Sequence, residues 1–119
     1  MARIFITLAG LMGAFGVVLA AAGAHGMTGL GLDSAASMLL FHACAVIAVT
    51  VASHTGLTAR LPSALAAGGF ILGAALFAGD IALRAYTGHR LFPMAAPTGG
   101  TLLILAWFSV AIAALARRR

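Results

Sequence analysis

In Phe77-Ala78-Gly79-Asp80-Ile81-Ala82-Leu83-Arg84 an acid and a base lie inside an apolar segment, one helical turn apart. The acid comes first, the order that favours pairing, and Arg84 also meets the negative end of the helix that the segment predicts. Two readings follow: an ion pair that fixes helix register, or a proton, ion or ligand site. His42 is about two turns into another apolar run, where it would donate a hydrogen bond to a neighbouring helix or carry a proton towards Asp80. His25 and His89 stand beside glycines at the ends of apolar runs and complete a polar cluster with Asp80, Arg84 and His42.

Imidazole and carboxylate suit zinc or iron, but no pair among His25, His42, His89 and Asp80 has the i, i+4 or CxxC spacing of a metal site, so no metal is expected. Haem would require two deep histidines at facing depths, and only His42 is deep. Ser37, Ser53, Ser63 and Ser109 lie in or beside apolar helices with no catalytic motif around them, where a hydroxyl ordinarily bonds a backbone carbonyl. The residues predict no enzyme and no cofactor.

Composition says what must hold these residues. Of 119 residues 63% are hydrophobic and 8% charged, and the mean hydropathy is +1.13. A soluble domain carries roughly a quarter charged residues, so the chain is expected to lie in a membrane as one domain made of spans. The net charge of +5 comes from arginines at the ends of apolar runs, which argues for membrane topology and against nucleic acid. Arg117, Arg118 and Arg119 close the sequence and read as a cytoplasmic stop in contact with anionic lipid headgroups. Cys44 is expected to be a small buried hydrophobe.

Four helices are predicted, at about 4–24, 35–55, 62–85 and 99–116, with outer loops at 25–34 and 86–98. The first run, behind Arg3, also imitates a secretion signal and is read as a span. Gly13 and Gly16 on the first helix, with Gly69 and Gly73 on the third, are candidate helix-packing positions, because glycine lets backbones approach closely. Gly69, Gly73, Phe77, Asp80 and Arg84 form one stripe, which aims the acid at whatever the third helix packs against. Asp33 and Ser34 are placed to cap the second helix, and Pro62 suits the first turn of the third. Trp107 falls in the middle of the fourth helix, away from the interfacial belt that tryptophan favours.

The motifs Gly13-Ala14-Phe15-Gly16, Gly23-Ala24-His25-Gly26, Phe41-His42-Ala43, Leu76-Phe77-Ala78-Gly79-Asp80, Tyr86-Thr87-Gly88, Ala96-Pro97-Thr98-Gly99-Gly100 and Ala106-Trp107 span nearly the whole chain. Together they resemble the domain of unknown function 423 family, the YgdD-like small inner-membrane proteins with a eukaryotic mitochondrial transmembrane relative. The family's compact glycine-histidine run is spread here, with Val17 to Gly23 between its halves, and Asp80 stands where the family tends to carry serine. The resemblance implies a fold and a bacterial inner-membrane location but no activity.

The expectation is an all-α integral membrane protein, a four-helix transmembrane bundle with both termini cytoplasmic by the positive-inside rule. Its expected role is non-enzymatic, as an accessory or structural subunit in a homo-oligomer or a larger inner-membrane complex, with membrane lipid, other subunits or itself as partners. The alternative is a proton- or ion-coupled transporter or channel using Asp80 and His42.

Overall fold

A computed structural model describes residues 1–117 and contains four α-helices: α1 (Ala2–His25), α2 (Leu32–His54), α3 (Arg60–Thr87) and α4 (Ala95–Leu115). All four are long and apolar enough to cross a membrane. The helix C-terminal to each turn runs back antiparallel, so both chain ends lie at one end of the bundle, called here the termini end. Two hydrogen bonds tie it together: the Ala59 N–H donates to the Ala113 carbonyl at 2.9 Å, and Arg117 Nε to the Gly56 carbonyl at 2.7 Å. The opposite, loop end carries the α1–α2 and α3–α4 connections.

The bundle is open. Each helix packs mainly on its neighbours in the chain, with a small further contact between α1 and α3. This leaves α2 and α3 central and α1 and α4 flanking, in a body of 52 × 26 × 19 Å. Its core is built largely of alanine, including Ala35, Ala36, Ala43, Ala66, Ala67, Ala74 and Ala78, while Phe15, Phe41, Leu65, Leu72, Ile104 and Phe108 point outward. A soluble protein would do the reverse. Lipid tails solvate a large apolar side chain as well as a protein core does, so small residues go where helices must approach, and large ones face hydrocarbon. Cys44, expected to be buried, is not. It is exposed, on the outward stripe of α2 with Phe41 and Val51, where an apolar thiol costs nothing.

Glycines set the closest contacts. On α3, a methyl at Gly69 would lie 3.0 Å from Ala106 Cβ, and one at Gly73 would lie 2.9 Å from the Gly99 carbonyl. The approach is reciprocal, since a methyl at Gly99 would lie 2.6 Å from the Gly73 carbonyl and 2.7 Å from the Phe77 nitrogen. Gly16 likewise admits Leu40 of α2. Gly13 does not share this role within the chain: beyond its own stretch of helix, nothing among the described residues lies within 4 Å of its would-be methyl. Only the stripe Ala9, Met12, Gly16, Leu19 and Gly23 of α1 is buried, because α1 has one substantial neighbour, and Gly13 falls beside that stripe.

The helix boundaries shift by one to four residues from expectation, and three of the shifts have a visible cause. Gly31, in the left-handed region at φ 81°, precedes α2, so Asp33 stands inside the first turn and makes no capping hydrogen bond. The α3 helix continues to Thr87 and ends on Gly88, also left-handed, whose N–H donates to the Arg84 carbonyl. The α4 helix begins at Ala95, four residues early, because Pro97 falls in the first turn, where a missing N–H is no loss. Pro62 occupies the equivalent place in α3, as expected. The loop before α4 therefore shrinks to residues 88–94.

Candidate functional site

Asp80 is 3% exposed, near the loop end of α3. Its Oδ2 meets Arg84 Nη2 at 3.2 Å, so the pair expected from the spacing forms. Its Oδ1 accepts the Leu91 N–H at 3.1 Å, eleven residues along the chain. The carboxylate thus clamps the loop before α4 down onto α3. Gly69 and Gly73 share its stripe and face α4, so the whole face is occupied by this chain's own next elements. Each carboxylate oxygen has one donor, and the 39% exposed Arg84 side chain keeps the pair in contact with the surface.

His42 is 6% exposed, about 15 Å along α2 from the loop end. Its Nδ1 lies 2.7 Å from the Met38 carbonyl, and Trp107 Nε1 donates to its Nε2 at 3.1 Å. An indole N–H only donates and a carbonyl only accepts. The network therefore assigns the neutral tautomer with its proton on Nδ1, in which both ring nitrogens are satisfied. Phe70, fully buried, closes the group, with its ring centroid 5.4 Å from His42 and 4.7 Å from Trp107, the latter edge to face. This triad joins α2, α3 and α4 in mid-bundle. Sequence reasoning noted Trp107 only as lying away from the interfacial belt and expected His42 to donate to a neighbouring helix; instead His42 bonds Met38 within its own helix and accepts from Trp107 of α4.

The expected cluster is divided. No hydrogen bond or ion pair joins His42 to Asp80 among the described residues, and each is committed to other partners. His25 and His89 are exposed at the loop end. No group of three or more potential ligands among the described residues could hold a metal. Arg117 binds the α2–α3 turn, while Arg118 and Arg119 lie outside the described residues.

The termini end holds polar groups that sequence reasoning left out. Thr58 and Ser63 bond through their hydroxyls at 2.8 Å, both buried. Nearby, a cavity of about 310 Å³ opens between α1, α2 and the start of α3, walled by Phe5, Thr50, Ser53, His54 and Arg60 among others. The usable signal in the sequence was the absence of acid from every segment that forms this end.

A family model described as protein of unknown function (DUF423) matches residues 19–100. A UPF0382 membrane protein from Haemophilus influenzae (strain ATCC 51907 / DSM 11121 / KW20 / Rd) is 29% identical over 114 residues, covering 90% of each chain. No solved structure matches. The family match takes in all of α2 and α3, with His42, Phe70, Asp80, Arg84 and Leu91, and the similar protein is itself a membrane protein. This multi-pass membrane protein belongs to the DUF423 family of small membrane proteins.

Proposed function

We propose that this protein is a non-enzymatic subunit of the bacterial inner membrane that works by packing, either with itself or within a larger membrane complex. The observation that carries this reading is the outer face of α1. Gly10 and Gly13 have nothing within 4 Å of their would-be methyls and Ala14 is exposed, whereas Gly16, Gly69, Gly73 and Gly99 are all filled within the chain. The open glycines form a groove that admits another helix. Both termini are taken to be cytoplasmic, because Arg3, Arg60 and Arg117 gather at the termini end while Asp33 and Asp80 lie towards the other.

The competing reading is proton- or ion-coupled transport through Asp80 and His42. Against it stand their separate commitments, Asp80 to Arg84 and Leu91, His42 to Met38 and Trp107. The test is the mass of the protein extracted into native nanodiscs at ordinary expression. A homo-oligomer or a larger complex is expected, and the double variant Gly10→Leu/Gly13→Leu should release a monomer with an unchanged thermal midpoint. A monomeric wild type with no co-purifying protein would sink the packing reading. Flux in vesicles that depends on pH and disappears in Asp80→Asn would replace it with transport.

A further inference from the structure

The cavity at the termini end has the chemistry of an anion site. Thr50 walls it, is 6% exposed, and its hydroxyl has no hydrogen-bond partner. A helical threonine ordinarily bonds the carbonyl four residues back. Thr7, Thr87 and Thr101 do so at 2.7–2.9 Å. Thr50 does not, and a buried hydroxyl left unpaired is costly unless something else meets it.

The surrounding groups are donors. Arg60 lies at the mouth and has no acidic partner among the described residues, where the single ion pair is Asp80–Arg84. Arg60 and Leu61 open α3, so their amides have no intrahelical acceptor, and no side chain caps them. The facing end of α2 is the opposite case. Three of its last four carbonyls, those of Val51, Ala52 and Ser53, already accept from Thr55, Gly56, Leu57 and Thr58. The free amides that open α3 thus lie in the same element as Arg60, which lines the cavity with His54 and Ser53, and the Val51, Ala52 and Ser53 carbonyls are occupied. Neither acid of the chain lies at this end.

A second cavity, of about 650 Å³, shares Ala2, Thr50 and His54 with the first and runs out between α1 and α2 past Arg3, Ile6 and Val51. The two cavities thereby adjoin, both walled mainly by apolar surface, with polar groups at Thr50, His54, Arg60 and Arg3. We propose that these joined cavities bind the phosphate group of an anionic phospholipid, the headgroup on Arg60, His54, Thr50 and the first amides of α3, and an acyl chain between α1 and α2. Basic pockets between spans at a membrane face are suited to such headgroups. Arg60 supplies a planar fork that fits phosphate oxygens. The site is independent of whether the protein assembles with others.

The test uses the full chain, delipidated in an uncharged detergent, and native mass spectrometry with phosphatidylglycerol, phosphatidylcholine or inorganic phosphate. Phosphatidylglycerol is expected to bind at least about tenfold more tightly than phosphatidylcholine, and Arg60→Gln to remove about tenfold of that affinity. Thr50→Val keeps the side-chain shape, loses the orphan hydroxyl, and should weaken phosphatidylglycerol binding about threefold while leaving the lipid-free thermal midpoint unchanged or higher. Arg90→Gln, at the loop end, should change nothing. Equal binding of the two lipids, or phosphatidylglycerol binding indifferent to both Arg60→Gln and Thr50→Val, overturns the proposal. Inorganic phosphate bound as tightly as the lipid, with the same dependence on Arg60, overturns the lipid as the source and leaves a soluble phosphate compound as the ligand.

Discussion

His42 and Asp80 are the polar side chains that a hydrophobic chain can least afford to leave unmatched, and they are matched differently: Asp80 by Arg84 and Leu91 close by in sequence, His42 by a residue far away. For His42 the partner is Trp107, 65 residues along. Hydrogen bonds between spans average about 0.6 kcal/mol and reach about 1.7 kcal/mol, so a His42→Leu/Trp107→Phe double-mutant cycle should return a coupling in that range. Trp107 is the chain's single tryptophan, which makes its fluorescence a direct report. Emission should shift in His42→Leu and hold in His25→Leu, and an unmoved spectrum in His42→Leu would refute the contact. Asp80 has two partners, which separate by substitution. Asp80→Asn removes the charge but keeps an oxygen for the Leu91 amide, and should cost about 1 kcal/mol. Asp80→Ala frees the loop as well, costing about 2–3 kcal/mol and speeding proteolysis within residues 88–94. If the two variants unfold alike, the clamp on Leu91 contributes nothing.

Among the elements, α3 and α4 are bound most closely, and their contact depends on two glycines placed against backbone. Gly99→Ala would put a methyl 2.6 Å from the Gly73 carbonyl and 2.7 Å from the Phe77 nitrogen, neither of which can rotate aside. A cost of about 1–3 kcal/mol or more is expected, read as a drop in thermal midpoint in detergent. Gly13→Ala meets open space and should leave that midpoint unchanged. The spacing Gly69-x-x-x-Gly73 was legible as a packing motif, and so was its continuation through Asp80. Which helix it met was not, because any neighbour with small residues would satisfy the same pattern. The early start of α4 was hidden for a related reason: Pro93 and Pro97 both read as breakers until the first helical turn is known to contain the second.

At the scale of the molecule, charge and packing divide between the two ends. The termini end gathers Arg3, Arg60 and Arg117 without an acid, and the loop end holds the acids with Arg84 and Arg90. Reporter fusions should therefore place both termini on the cytoplasmic side. Arg3→Gln together with Arg60→Gln, combined with two arginines inserted into residues 88–94, should send part of the population into the opposite orientation. A uniform orientation in that variant would show that packing, rather than charge, sets topology. The outer face of α1 leaves Gly10 and Gly13 uncovered, as α3 and α4 leave Gly68 and Gly100, while the polar groups hold the bundle together from within.

By itself the sequence determined the number of spans, the pairing of Asp80 with Arg84, the packing role of Gly16, Gly69 and Gly73, and the common side of the two termini. These follow from hydropathy, helical spacing and parity, which act along the chain. Only the tertiary structure decided that His42 meets Trp107 instead of Asp80, that Cys44 faces outward, that Gly13 is left open, and that Thr50 lies unpaired beside Arg60. The physical reason is the solvent. In hydrocarbon, apolar residues gain equally from lipid and from protein, so hydrophobicity no longer tells inside from outside. What remains to direct the fold is close contact at small residues and the satisfaction of the few polar groups, and both are settled between segments remote in sequence.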